Sequence, residues 1–244
     1  MTRSDERHLD LSVVIPVFNE EENLEPLIAE LEQVLGALGR TFEVICVDDR
    51  STDGSLDVLR RLQVGRPYLQ VVAHRVNCGE SAAQATGFLH ARGEVVLTMD
   101  ADQQNDPADI PALLAALDSE TAAVCGVRRK REDSLLRRIS SRIANGFRNL
   151  VTGDRIADAG CTFRAVRREA LREVPVFNGL HRFLPTILRW QGHRVKEIRV
   201  NHRPRTRGKS KYGVSNRLWR GIGDCFAMRW YRTRCVPCNR TAAE

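Results

Sequence analysis

The chain has 244 residues, of which 42% are hydrophobic and 28% charged, and its net charge is +7. That length favours one domain with room for a real core, and the composition excludes a disordered, fibrous or disulfide-stapled chain. No run approaches the roughly 18 uninterrupted apolar residues of a spanning helix, and "MTRSDERHLDLSVVIP" places acids ahead of a very short apolar run, unlike a signal peptide.

The first half reads as strands alternating with helices. "LDLSVVIPVF" is an apolar run stopped by polar residues, a buried strand. "EEENLEPLIAELEQVLGALG" spaces Leu24, Leu27, Ile28, Leu31, Val34 and Leu35 as a helix does, with Glu in its first turn to suit the dipole. "FEVICVDD" is a second strand, and "STDGSLDVLRRLQ" starts on capping residues and becomes a helix. "LQVVAHR" is a third strand, followed by the helix "GESAAQATGFLHARG", closed by Gly93. "EVVLTMD" is a fourth, "DPADIPALLAALD" opens a helix with Pro near its start, and "AAVCGVR" is a fifth strand. This order predicts an α/β fold with a mostly parallel central sheet and helices on both faces. Ligands of such sheets bind beyond the carboxyl ends of the strands.

Those ends are polar: "PVFNEE", "VDDRSTD", "HRVNCGES", "MDADQQN" and "GVRRK". Neither GxGxxG nor GxxxxGK[ST] is present, so a nucleotide here would meet acids and an aromatic instead of glycines. Asp100 and Asp102 stand one residue apart at a strand end, and Gln104 follows at the same step. Like charges this close call for a cation. An all-oxygen set suits Mg2+ or Mn2+ bound together with substrate phosphates. The bland alternative is a solvated turn that caps the next helix.

The second half is basic. From Arg128 to Arg148 there are eight Lys and Arg against Glu132 and Asp133, and "SLLRRISSRIANGFRNL" spaces its apolar residues as an amphipathic helix. From Arg203 onward eleven Lys and Arg face only Asp224 and Glu244, a surplus of nine, so the preceding residues sum to −2. Such a tail suits a polyanion, either nucleic acid or an anionic membrane. In "NRLWRGIGDCFAMRWYRTRCVPC", Leu218, Trp219, Ile222, Phe226, Trp230 and Tyr231 recur at three- and four-residue steps among arginines. This is the pattern of an interfacial helix, or of one docked on the protein's own sheet or on a membrane subunit. Seven irregularly spaced Cys argue against a disulfide framework, and the Cys235–Cys238 pair lacks two further zinc ligands nearby.

Six stretches in this order resemble the successive motifs of family 2 inverting glycosyltransferases: "VVIPVFNEEENL", "VICVDDRSTDGS", "NCGESAAQATGF", "MDADQQNDP", "AGCTFRAVRREAL" and "HRPRTRGKSKYG". The nearest branch is the polyprenyl-phosphate one, with dolichol-phosphate mannosyltransferases and undecaprenyl-phosphate sugar transferases. The resemblance covers about Leu11 to Trp230 and implies a GT-A-like, Rossmann-related fold with C-terminal amphipathic helices. It implies a catalytic domain over about 1–214, with a nucleotide-sugar half near 11–127, an acceptor half near 128–214, and a basic tail over 215–244.

The resemblance also assigns roles. Pro16, Phe18, Glu20, Val47 and Asp49 would hold base and ribose, with Phe18 standing where many members have Tyr. Asp100 and Ala101 would join them at the donor. Asp100, Asp102 and Gln104 would ligate Mg2+ or Mn2+. Arg128, Arg137 and Ser141 would hold the acceptor lipid phosphate, while Arg205 and Lys211 would close over the donor diphosphate. A lipid phosphate is already anionic near neutral pH, since a phosphate's second pKa is about 6, so no dedicated base is required. Asp102 is the nearest carboxylate if one acts. The expected partners are a GDP- or UDP-linked sugar, a polyprenyl phosphate, and an anionic membrane surface or membrane subunit. The expected location is cytoplasmic, at the cytosolic face of a membrane.

Three alternatives are weaker. A processive polysaccharide synthase would carry QxxRW and spanning helices, whereas "TILRW" has Thr186 in place of Gln. A transferase with a glycan or protein acceptor shares the donor half, and only the basic second half opposes it. A nucleic-acid binder would interleave aromatics in its basic region, but aromatics are 6% of the chain.

Overall fold

The computed structural model describes residues 9–128, 135–205 and 214–234, with side chains described except over 135–143 and 214–220. A seven-stranded sheet runs in the order β3-β2-β1-β4-β6-β5-β7. Its strands are β1 (Leu11–Val17), β2 (Phe42–Asp48), β3 (Leu69–Ala73), β4 (Val95–Thr98), β5 (Ala123–Arg128), β6 (Arg164–Arg167) and β7 (Val195–Val200). All point the same way except β6, which pairs antiparallel with both β4 and β5. The mostly parallel sheet expected from the sequence is therefore present, with two strands added that apolar runs did not reveal. β6 is four residues long with an Arg at each end, and β7, "VKEIRV", mixes charge into its alternation.

The two faces follow the two-residue period of a strand. On β1, Leu11, Val13, Ile15 and Val17 point to one core with Leu24, Leu27, Ile28, Leu31 and Leu35 of α1 (Glu21–Ala37). That layer also holds α2 (Ser55–Gln63) and α4 (Ile110–Ala116). Val14, Ile45, Val47 and Val96 point to the other core, against α3 (Glu80–His90) and α7 (Leu180–Trp190). The remaining helices are α5 (Leu135–Thr152), the short α6 (Arg168–Leu171) and α8 (Val214–Arg234).

The helix that Gly93 was expected to close ends earlier, at His90, with Ala91 in an extended conformation. Gly93 is needed for another reason. A Cβ there would lie 2.5 Å from the backbone carbon of Leu11. Its N–H donates to Ser12 Oγ at 2.8 Å, and Ser12 donates to the buried Glu43 at 2.7 Å. Close backbone approach, and not helix capping, fixes this glycine.

The tail helix divides its residues differently from the stripe read in the sequence. Cys225 and Met228 are buried in the second core, with Tyr231 packed beside them. Phe226 and Trp230 of the expected stripe face outward, 56% and 64% exposed. One face of α8 is structural, and a separate aromatic face is presented to solvent together with the exposed Leu150 and the partly exposed Phe147, whose ring meets Phe226 edge-on at 6.2 Å. Among the described residues, no helix is long and apolar enough to cross a membrane.

Candidate active site

The carboxyl ends of β1, β2 and β4 carry a shared peculiarity. The non-glycine residues with positive φ among the described residues are Asn19, Arg50 and Gln103, one in each loop that leaves these strands. Such conformations are uncommon outside glycine and concentrate where a loop must aim its side chains. The loops are also laced together. Asn19 accepts from the Thr52 N–H at 2.6 Å and Glu20 N–H donates to Ser55 Oγ at 2.9 Å, so β1's exit is fixed to β2's. Asp53 accepts from the Ser55 N–H at 3.0 Å and holds the start of α2.

Asp49, buried to 3% exposure, accepts from Cys78 N–H at 2.8 Å, Gly79 N–H at 2.7 Å and sits 2.8 Å from His74 Nδ1. Asp49, His74 and Cys78 bring possible metal ligands within 4.8 Å of one another. His74 Nε2 is engaged by Thr86 Oγ1 at 2.8 Å and Nδ1 by Asp49, so the cluster reads as a net that holds the loop after β3. Phe18 and Pro16 lie at the partly exposed exit of β1. Val47 and Ala101 are corrected: they are 0% and 3% exposed and belong to the second and first cores, so neither offers a surface to a ligand in this structure.

The Asp pair occupies the loop after β4. Asp102 accepts from the Gln104 N–H at 3.2 Å, and Asp100 N–H donates to the buried Asn105 Oδ1 at 2.8 Å. Burial, and then the charge of Asp102, push the Asp100 carboxyl up to about 6. Burial also raises Asp102, against the pull of the Gln104 N–H and Arg205. Arg205 Nη2 lies 3.2 Å from Asp102 Oδ2 and 2.8 Å from Glu20 Oε1, so one guanidinium joins the exits of β1 and β4. The segment after β7 is zipped along this loop: Asn105 and His202 form an antiparallel bridge, Arg203 N–H donates to Gln104 O at 2.9 Å, and the Arg203 guanidinium pairs with Glu30 and Asp106. Gln104 Nε2 turns to Arg203 O at 3.3 Å and lies 3.4 Å from His202 Nε2. Two neighbouring carboxylates with raised pKa and an amide have the chemistry of a divalent-cation donor set, while among the described residues the possible ligands already within 4.8 Å of one another are Asp49, His74 and Cys78.

Arg128 is not an unpaired cation. Its Nε and Nη2 each meet an Asp158 oxygen at 2.7 Å, a bidentate fork that uses two of the five guanidinium N–H donors. Arg137, Ser141 and Lys211 lie outside the residues whose side chains are described, as do Cys235 and Cys238. Sequence reasoning missed Arg164, the largest fully buried side chain, whose charge together with that of Arg128 draws Asp100 down. It stands in the stretch "AGCTFR", and a lone Arg ahead of an apolar pair was its only signal. His202 and Arg203 were also missed, because only the β7 pairing carries them to the Asp pair. The "TILRW" residues are structural: Thr186 and Arg189 both bind the buried Asp154, which also lies 3.7 Å from Arg148.

A mostly parallel sheet with acids at its carboxyl edge and Arg205 latched over them is an α/β fold whose polar groups gather where such sheets bind ligands. The family model described as glycosyl transferase family 2 matches residues 12–175. The chain belongs to that family. It is 36% identical over 236 residues to a dodecaprenyl-phosphate galacturonate synthase of Rhizobium johnstonii, covering 94% of this chain and 69% of that protein. It is 37% identical over 206 residues to an undecaprenyl-phosphate 4-deoxy-4-formamido-L-arabinose transferase of Edwardsiella ictaluri, covering 84% and 63%. The chain thus spans about two thirds of the length of these relatives. Solved structures share the fold: a Mycobacterium tuberculosis glucosyl-3-phosphoglycerate synthase holding Mn2+ and UDP-glucose has a TM-score of 0.68 at 19% identity, covering 95% of this chain and 82% of that one. A Pyrobaculum calidifontis mannosyltransferase with GDP-mannose and Mn2+ gives 0.62 at 21%, covering 94% and 65%.

Proposed function

We propose that this chain transfers a sugar from a GDP- or UDP-linked donor to a polyprenyl phosphate, with inversion at the anomeric carbon. The observation that carries the reading is the meeting of Glu20 and Asp102 on the Arg205 guanidinium at the carboxyl edge of the sheet, with the buried Asp100 close enough to feel the charge of Asp102. Its relatives act at dodecaprenyl and undecaprenyl phosphate by name.

Asp100 and Asp102, with Gln104 beside them, are the residues to hold Mg2+ or Mn2+. The bound ion supplies Lewis-acid stabilisation to the diphosphate leaving group. Phe18 and Pro16 give the base an apolar surface, and the Asp49 net sets the loop on which the base and ribose rest. Glu20 and Asp102 keep the Arg205 guanidinium aimed at the diphosphate side, with Lys211 as its companion. Arg128, Arg137 and Ser141 receive the acceptor phosphate; Asp158 orients the Arg128 guanidinium, whose other N–H groups make the contact. Positioning and charge then carry the reaction, because the nucleophile is already an anion. The division into a donor half near 11–127, an acceptor half near 128–214 and a tail over 215–244 follows from the same reading. The outward Phe226 and Trp230 of α8, with Arg229 and Arg234 around them, suit an anionic cytosolic leaflet.

A panel of radiolabelled nucleotide sugars, incubated with undecaprenyl phosphate and Mg2+ or Mn2+ and extracted into organic solvent, tests the proposal. Label should enter the organic phase only when the lipid phosphate is present. No transfer from any donor, or transfer to a glycan or protein with lipid phosphate omitted, overturns it.

A further inference from the structure

One polar cluster is used by none of the roles above. It lies where the first turns of α3 and α7 meet. Ser81 is buried at 3% exposure, and its Oγ lies 2.8 Å from His181 Nδ1. The same Oγ accepts from the Gly179 N–H at 3.0 Å. Its own proton is then available for Nδ1, in the tautomer of a neutral His181 that carries its ring proton on Nε2. Glu80 Oε2 stands 3.7 Å from that Nε2. The side chains of His181 and Glu80 are 18% and 32% exposed, so neither is a core residue.

The cluster belongs to the same edge of the sheet as the Asp pair. α3 follows a parallel strand and α7 precedes one, so both helices begin at the carboxyl edge. Arg164 makes the connection direct: its Nη1 donates to His181 O at 2.7 Å, while its charge acts on Asp100. On α3, residues 80, 81 and 84 fall within one 100° stripe at helical spacing. Gln84 in that stripe is 1% exposed, and neither amide atom has a hydrogen-bond partner among the described residues. A buried amide in that state costs about 1–3 kcal/mol, which a purely structural wall would avoid with an apolar side chain.

A donor N–H on an imidazole held by Ser81, beside an acceptor carboxylate, is the arrangement that grips a hydroxyl, which accepts from one and donates to the other. We propose that Glu80 and His181 form the subsite that binds a hydroxyl of the donor sugar, with Ser81 as the residue that positions the imidazole. This rests on the reading of the chain as a nucleotide-sugar transferase.

Titration calorimetry separates the two. The full chain, with Mn2+, is titrated with UDP and GDP, and with UDP-glucose, UDP-galactose and GDP-mannose. In Glu80→Ala and His181→Ala the best-bound sugar nucleotide should weaken about tenfold, the worth of one lost hydrogen bond. The matching nucleoside diphosphate should keep its affinity. His181→Gln, which retains an N–H donor, should recover part of the loss, and Ser81→Ala should fall between. Thermal unfolding of Glu80→Ala, a partly exposed site, controls for folding. Wild-type affinity for the sugar nucleotide in both alanine variants overturns the subsite. So does an equal loss for the nucleoside diphosphate, which would mark a structural role. Failure of the wild type to bind either nucleoside diphosphate overturns the transferase reading itself, and the subsite with it.

Discussion

The acids of the first half and the arginines of the second are handled in opposite ways. At the exits of β2 and β4, Asp49 and Asp102 accept from backbone N–H groups, the single guanidinium of Arg205 is shared by Glu20 and Asp102, and Asp100 and Asp102 are left with raised pKa values. In the second half the arginines pair with acids: Arg128 with Asp158, Arg148 and Arg189 with Asp154, Arg182 with Asp224. The buried Arg164 donates instead to the His181 and Ala159 carbonyls. A net charge counted along the chain therefore overstates the positive charge this half has to offer. The first half stores an unfavourable arrangement that a cation would relieve; the second uses its charge to hold α5, α7 and α8 together.

The largest effect should come from the second half. Asp154→Ala leaves Arg148, 7% exposed at its side chain, without its carboxylate. Removing one partner of a buried ion pair costs about 3–5 kcal/mol, and urea unfolding should show a loss of that order. A loss below about 1 kcal/mol would mean that the network is ornamental, since exposed pairs contribute only that much.

Asp102→Asn attacks the first half and should do the reverse: the fold survives, while transfer falls by about 10²–10³, the scale of losing one preorganised charge contact. Circular dichroism and the extraction assay together check this. Activity near wild type would break the assignment of the Asp pair.

Asp100→Asn sharpens the contrast through stability. Folding raises this carboxyl from 3.8 to about 6, so the protonated form is favoured in the native state. Its stabilising contribution is complete below about pH 4 and is lost as pH rises through about 6. In chelator at pH 7 the Asn variant should then be more stable than wild type, by about 1–3 kcal/mol, since each tenfold change in proton affinity is worth roughly 1.4 kcal/mol. Its unfolding free energy should lose the fall between pH 4 and 6. An unchanged pH profile would show that Asp100 is not strained by burial.

The smallest effect concerns α8. Trp230→Ala removes an outward ring, so stability should hardly move, while sedimentation with phosphatidylglycerol vesicles should weaken and become more salt-sensitive. Equal sedimentation of variant and wild type would leave the basic residues alone, at about 1 kcal/mol each, as the membrane contact.

Local pattern made much of this molecule legible in the sequence. Apolar runs of β1, β2 and β4, helical spacing in α1 and the paired carboxylates of "MDADQQ" depend on residues a few positions apart, where strand and helix periods operate. The order of motifs sufficed for the family. What only the tertiary structure decided depends on residues far apart in the chain. β6 enters between β4 and β5, and a four-residue strand flanked by Arg has no local signal. Arg128 meets Asp158 thirty positions away, and Arg205 meets Glu20 across 185. Ser81 finds His181 a hundred residues on. On α8 the sequence shows apolar residues but not which of them the core takes, because Met228 and Trp230 are both apolar and only the neighbouring helices distinguish them. Hydrophobicity and charge are properties of a residue, whereas burial and neutralisation are properties of a pair brought together by the fold.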